Sequence, residues 1–352
     1  MNRRRFVKSA VAASLIIPGA QVSAADQRPG SRLRIGQIGL GHPHAFGKLD
    51  AIRKLSNEFE LVGVVEKDPA LRQRISGINF VELDELLEPG YLDAVAVETP
   101  VPALIPMAAR ALKAGLHIHL DKPAGTDFHS FEKAVDIARN KNLTIQMGYM
   151  LRYNPSFQFL FTAVNEGWLG TITEVDAMMG KLADPGLRND LAAYHGGGFF
   201  ELACHILDAT LFLLGKPDRV QGFHLRTGQG KGDTFADNQL AVLQYPETLA
   251  VLRCNHNDPA GFSRRCFNVT GTRGRIEIHP LESGHLTLHL NRPAGEYSKG
   301  VHDIQLPDGG RSYVKEFQDL ADVIRGKSVL DWSYDHDLLV QKTLLEICNM
   351  PL

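Results

Sequence analysis

The sequence holds no apolar run long enough to cross a membrane. Its first weakly apolar stretch, Ala10 to Ala20, has about 11 residues where a span needs roughly 20, and no later stretch does better, which predicts a soluble mature chain. Excess charge is missing too. Lys and Arg total 38 against 40 Asp and Glu, a net charge of −2, so there is no electrostatic footprint for nucleic acid or an anionic membrane surface. Cysteine is scarce. Cys204, Cys254, Cys266 and Cys348 form no C-x-x-C pair and no zinc-ligand spacing. They are read as buried thiols, with Cys254–Cys266 the one bridge considered.

What is present starts with a leader: Asn2-Arg3-Arg4-Arg5-Phe6-Val7-Lys8, the short apolar stretch, then Val22-Ser23-Ala24 before Ala25-Asp26. Basic start, short hydrophobic run and small residues at the cleavage positions predict a secretory signal over residues 1–24, and the paired arginines resemble the twin-arginine type. That route exports folded proteins, usually with a cofactor inside, to the periplasm or beyond. Removing the leader takes four basic and no acidic side chains, leaving 34 against 40 and a net charge of −6 over 328 residues. That length suggests two domains. The expected division is 31–150 for a nucleotide-binding domain, 151–310 for an α+β domain serving substrate and assembly, and 311–352 for terminal helices.

From Leu33 an apolar strand runs into Gly39-x-Gly41, helical spacing follows through Phe46 and Leu49 to Leu55, and a second strand, Leu61 to Val65, ends at Glu66. This is a βαβ unit of the length that dinucleotide-binding folds use. Gly39 permits the tight turn, Gly41 admits the pyrophosphate, and Glu66 is placed for the ribose hydroxyls. A carboxylate there favours NAD over NADP, and Lys67 beside it partly offsets that preference. His44 occupies the third glycine position. His42 and His44 are candidates for phosphate or substrate contact, with solvated loop histidines the alternative. Strands at Ala94–Val97, His117–Leu120 and Thr144–Met147 alternate with helices at Ala103–Ala114 and Ser130–Lys141, which predicts an α/β fold with a doubly wound parallel sheet. Its ligand site lies at the strand ends, where Thr99-Pro100 and Asp121-Lys122-Pro123 fall.

After Pro155 the pattern changes. Candidate antiparallel strands at Gln239–Tyr245, Leu249–Asn255, Cys266–Thr270 and Arg275–His279 are separated by turns, and Leu286, Leu288 and Leu290 alternate with polar residues. These predict an open, mainly antiparallel sheet with one or two helices. Gly196-Gly197-Gly198 precedes a helix on which Glu201, His205 and Asp208 share a face, and three glycines allow a ligand and the backbone to approach. A dipole-satisfied helix start explains the same residues without function. Two candidate ligands, Glu201 and His205, without a third argue against a metal there.

Gly39-x-Gly41, Thr99-Pro100, Asp121-Lys122-Pro123, Arg152-Tyr153-Asn154-Pro155 and Gly196-Gly197-Gly198-x-x-Glu201-x-x-x-His205-x-x-Asp208 occur in this order. The set resembles the glucose-fructose oxidoreductase, inositol dehydrogenase and MocA family over nearly the whole mature chain. The family commonly has Glu-Lys-Pro where this chain has Asp121, Asp where it has Glu201, and a histidine where it has Leu104. The resemblance implies an NAD(P)-dependent oxidoreductase acting on a sugar or cyclitol, with Asp121 and Lys122 beside the cofactor and Lys122, Glu201 and His205 catalytic. It also implies a homodimer or homotetramer formed through the open sheet.

Oxidising a secondary alcohol needs a base with a pKa near the working pH, which suits His205. In this scheme Glu201 orients His205 and favours its protonated form, and Lys122 stabilises developing alkoxide charge. Arg152, Tyr153, Tyr194, His195 and Asp208 are candidate substrate contacts, since polyols need many polar partners; Tyr153 and His195 equally suit ordinary packing. A retained cofactor is expected outside the cytoplasm. The rival readings are a redox-neutral NAD-dependent glycoside hydrolase or lyase, and a non-catalytic sugar-binding module.

Overall fold

Short segments of Ala, Val, Ile and Leu build a five-stranded parallel sheet in a computed structural model that describes residues 31–228, 230, 232–309 and 313–352. The predicted export signal at residues 1–24 lies outside the described residues. The first sheet comprises β1 (Leu33–Ile38), β2 (Phe59–Val65), β3 (Ala94–Val97), β4 (His117–Leu120) and β5 (Ile145–Met147), in the order β2-β1-β3-β4-β5. All four residues of β3 are buried, as expected of a parallel strand covered on both faces. Between the strands run α1 (Ala45–Lys54), the short α2 (Pro69–Arg72) and α3 (Leu83–Leu86), α4 (Val101–Lys113) and α5 (Phe128–Lys141). Strand order reverses between β1 and β3, which opens the ligand crevice at the carboxyl ends of these two strands.

The chain then passes through a 3₁₀ turn (Met150–Tyr153) into α6 (Pro155–Asn165), β6 (Ile172–Gly180) and α7 (Pro185–Leu191). A π-helical turn (Phe199–Ala203) leads into α8 (Cys204–Leu214). Seven further strands follow: β7 (Arg219–Leu225), β8 (Asn238–Gln244), β9 (Leu249–Asn255), β10 (Cys266–Gly271), β11 (Gly274–Ile278), β12 (His285–Leu290) and β13 (Gly300–Gln305). With β6 they form an eight-stranded sheet in the order β13-β12-β11-β10-β6-β9-β8-β7. It is antiparallel except where β6 runs parallel to β9. Sequence patterning found β8 to β12 but not β6, β7 or β13, and it undercounted the helices, since α6, α7 and α8 all precede the meander.

Two helices close the chain, α9 (Val314–Ile324) and α10 (Tyr334–Ile347). Tyr313, Phe317 and Leu320 of the α9 region pack with Leu33, Ile35, Ile52 and Ala96, so α9 completes one face of the nucleotide-binding sheet although it lies at the far end of the sequence. One continuous apolar core includes Val97 and Leu120 of the first sheet, Phe157 and Leu207 of the helices, and Leu252 and Phe267 of the second sheet.

The Cys254–Cys266 pairing does not form. Cys254 faces Met179 and Cys266 faces Met178, on opposite sides of β6, so two strand spacings, about 9.5 Å, separate their backbones, beyond disulfide reach. All four cysteines are free.

Candidate active site

The crevice begins at the glycine turn. Gly39 has φ +91°, and a Cβ there would stand 2.9 Å from the Glu98 carbonyl oxygen; one on Gly41 would touch the Pro100 ring at 3.0 Å. The loops after β1 and β3 therefore meet only because these two positions lack side chains. No acidic residue occupies the first turn of α1 and no side chain caps it, which leaves this N-terminus suited to a pyrophosphate. The Glu66 carboxylate accepts the Leu40 amide at 2.7 Å and the Lys67 and Asp68 amides at 2.8 and 2.9 Å, which fixes it beside the glycine loop. These residues fit a dinucleotide, with Thr99 and Pro100 lining the β3 side.

Deeper in the crevice, His42 and His44 converge on Asp121 from the end of β4. Their Nδ1 atoms lie 3.0 and 3.1 Å from Asp121 Oδ2. Burial pushes His44 down to about 4. Burial alone would raise Asp121, but His42, His44 and Lys48 hold it well below the usual carboxylate range. The position expected to hold a third glycine thus carries a ring that bridges to the next loop, and neither histidine is a solvated loop residue.

Beneath this cluster is a buried charge network that the motifs did not reveal. Lys48 donates to Glu316 Oε2 at 2.5 Å and to His119 Nε2 at 2.7 Å, and His119 Nδ1 faces Gln146 Oε1 at 2.9 Å. Burial, then Lys48, push His119 down to about 3. A Cβ on Gly148 would stand 3.0 Å from both Lys48 Nζ and Asp121 Oδ1. The only hint in the sequence is a lysine on the apolar face of α1.

The opposite wall comes from the π turn and α8. Lys122 Nζ donates to the Glu201 backbone oxygen at 2.7 Å, taking a carbonyl at the irregular turn. His205 is 1% exposed, and its Nδ1 has no hydrogen-bond partner among the described residues. Burial, reinforced by Lys122, lowers its pKa well below the ordinary value, so the ring is neutral. The expected orienting bond from Glu201 is absent. The π turn adds a residue to the helical repeat, so positions 201 and 205 do not align as in an α-helix. The Glu201 carboxylate instead lies 3.1 Å from Lys181 Nζ, 3.6 Å from His256 Nε2 and 3.9 Å from Lys122 Nζ.

Lys181 and His256 were not anticipated. They follow the paired ends of the parallel strands β6 and β9, where Gly180 faces Asn255, so they emerge side by side. The glycine triplet serves packing here: a Cβ on Gly198 would collide with His256 and one on Gly196 with Cys348.

Several expected substrate contacts are engaged elsewhere. Arg152 donates to both oxygens of Asp208 at 3.1 and 2.7 Å and to Asp337 at 2.5 Å, while His336 also reaches Asp208 at 2.9 Å. This buried cluster ties the 3₁₀ turn to α8 and α10. The Tyr153 hydroxyl donates to Asp319 at 2.7 Å and accepts from Gln146 at 2.9 Å. His195 Nδ1 donates to the Cys348 carbonyl at 2.7 Å. Tyr194 packs on Phe200, ring centroids 5.2 Å apart.

Residues 33–149 match the NAD-binding Rossmann fold of the oxidoreductase family, and residues 157–277 match the GFO/IDH/MocA C-terminal domain. The chain is 27% identical over 230 residues to an uncharacterised oxidoreductase of Escherichia coli, a match covering 63% of each chain. It is 26% identical over 188 residues to inositol 2-dehydrogenase of Rhizobium meliloti, covering 52% of this chain and 56% of that one. The match thus spans less than two thirds of either relative. Among solved structures, UDP-N-acetylglucosamine 3-dehydrogenase of Acidithiobacillus ferrooxidans superposes with a TM-score of 0.74 at 20% identity, covering 90% of this chain and 97% of that one. Two adjoining family matches, in the order and position of the two sheets, mean that this chain belongs to the GFO/IDH/MocA family of NAD-binding Rossmann-fold oxidoreductases.

Proposed function

We propose that the protein is an exported enzyme that oxidises a secondary alcohol of a sugar or cyclitol, retaining NAD in preference to NADP. The observation that carries this reading is the convergence of Lys122 and a neutral, buried His205 beside the glycine turn, with one histidine nitrogen left unpartnered. Buried polar atoms normally have partners, and an orphan in a crevice is a place for a ligand.

Bound nicotinamide would supply the hydride acceptor. His205 accepts the hydroxyl proton of the substrate and returns it in the reverse direction. Lys122, steadied by the Glu201 carbonyl, offsets negative charge on the substrate oxygen. Glu201, Lys181 and His256 offer donors and acceptors to neighbouring hydroxyls. Glu66 beside the glycine loop disfavours a 2′-phosphate, which supports NAD. The leader at residues 1–24 supports export. The substrate class is supported by the inositol and sugar-nucleotide activities named for the relatives. On the outer face of the second sheet, Phe223 pairs with Leu240 and Val242 with Val251. That partly apolar face, which also carries Gln221 and Arg253, supports a homodimer or homotetramer.

The test is to denature the purified protein, quantify released NAD and NADP, and assay polyols and sugars with a second carbonyl compound as acceptor. Near-stoichiometric NAD with turnover is expected. His205→Ala should lower turnover by about 10²–10⁴-fold with cofactor content unchanged; comparable rates would remove His205 from the mechanism.

A further inference from the structure

His42-Pro43-His44 and Asp121 bring two imidazole nitrogens and a carboxylate oxygen together within 4.8 Å of one another. Ligands of a tetrahedral zinc ion, at bonds of 2.0–2.2 Å, stand about 3.3–3.5 Å apart. The spacings of 3.0 and 3.1 Å from Asp121 Oδ2 to the two Nδ1 atoms need only a few tenths of an ångström of adjustment.

The tautomer of His42 adds to this. Its Nε2 lies 3.1 Å from the Lys122 carbonyl oxygen. A carbonyl only accepts, so Nε2 donates to it, and the Nδ1 of the same ring lies on the side of Asp121. The His44 backbone N–H also treats Nδ1 as an acceptor, at 3.3 Å. A histidine that donates one ring N–H to a backbone carbonyl while turning the other nitrogen inward has the outer-shell arrangement of metal ligands.

An independent observation comes from Glu98. It is completely buried, neither of its carboxylate oxygens has a hydrogen-bond partner among the described residues, and Oε2 lies 3.9 Å from His42 Nδ1. A buried carboxylate without a partner is costly, and here it lies against the same histidine.

We propose that His42, His44 and Asp121 bind a divalent transition-metal ion of the zinc class, with Glu98 supporting the site from the side of β3. Three protein donors leave a fourth position for water or a substrate oxygen, the pattern of catalytic rather than structural zinc. The His44 and His205 ring centroids are 6.2 Å apart, so the ion would lie beside the crevice that Lys122 and His205 share. This metal site stands apart from the alcohol oxidation proposed above, because its readout is binding.

The test uses the whole mature protein with whatever dinucleotide it retains. It is washed with a chelator, reconstituted with zinc, and assayed for metal by elemental mass spectrometry; cobalt(II) then reports coordination through its visible ligand-field bands. About one metal per chain is expected, with cobalt bands of tetrahedral type. His44→Ala and Asp121→Asn should weaken affinity at least ~100-fold, whereas His205→Ala should bind as the parent does. Circular dichroism checks folding, and His44→Gln, at the rim of the cluster, serves if Asp121→Asn fails to fold. Reconstituted protein holding less than about 0.1 metal per chain, or ligand variants binding as tightly as the parent, would overturn the proposal.

Discussion

Two buried polar clusters sit in this molecule and are built from the same residue types, yet they differ in how completely their atoms are paired. Around Arg152, the guanidinium takes Asp208 and Asp337, His336 closes on Asp208, and the Tyr149 and Trp332 rings lie 4.8 and 5.0 Å away. Among the described residues of that group, Asp337 Oδ2 and Trp332 Nε1 lack hydrogen-bond partners, while every charged group is paired. Around Asp121 and Glu201, both Glu98 oxygens and His205 Nδ1 are buried without hydrogen-bond partners among the described residues, and His256 Nε2 has only the Glu201 carboxylate at 3.6 Å. A closed network fixes helices to one another, whereas an open one leaves hydrogen-bonding capacity for something that arrives. The sequence motifs named residues of both clusters as site candidates, and completeness of pairing is what separates them.

The comparison breaks most visibly at Arg152. Removing a cation that serves two buried carboxylates leaves uncompensated charge, so Arg152→Met should cost about 3–5 kcal/mol of stability, read by denaturant unfolding. A loss below about 1 kcal/mol would return Arg152 to the list of substrate contacts.

Acid should sharpen the contrast. Burial lowers His256 from 6.5, so below that pH the unfolded chain binds the proton and the folded state does not, and stability falls as pH drops. Asp208 is held below 3.8, where burial opposes and Arg152 and His336 favour its charge, so its contribution is present above 3.8 and fades only below it. His256→Gln should therefore flatten part of the stability loss that sets in below pH 6.5 while leaving the Asp208 limb below 3.8 alone; an unchanged slope would mean that His256 is not buried neutral.

The smallest effect is expected at the rim. Glu66→Ser removes the carboxylate proposed to meet the ribose, and should shift the NAD to NADP affinity ratio by about tenfold toward NADP, measured by competitive binding. An unchanged ratio would leave Lys67 or another group in control of cofactor choice.

Much of the fold was legible because its signals are local. The glycine turn, the alternation of strand and helix to Met147, and the hairpins from Asn238 to Ile278 each depend on neighbours within about ten residues. The central strand β6 was not, because Ile172–Gly180 mixes Glu174 and Asp176 with apolar residues and its place is set by β9 and β10 on either side. The spacing of Glu201, His205 and Asp208 predicts a regular helix face, and the π turn at Phe199–Ala203 alters it.

The site shows the same division. Lys122, Glu201 and His205 could be named from motifs, and Lys122 Nζ reaches the Glu201 carbonyl. Lys181 and His256 could not, since each merely follows a strand, and the charge network of Lys48, His119 and Glu316 joins positions 71 and 268 apart. The sequence by itself determined the two kinds of sheet, the glycine turn and the family. Tertiary structure alone decided which polar groups are paired and which are left open. His44 and Asp121 are 77 positions apart, and such meetings depend on how strands are ordered and helices docked, which no local pattern encodes.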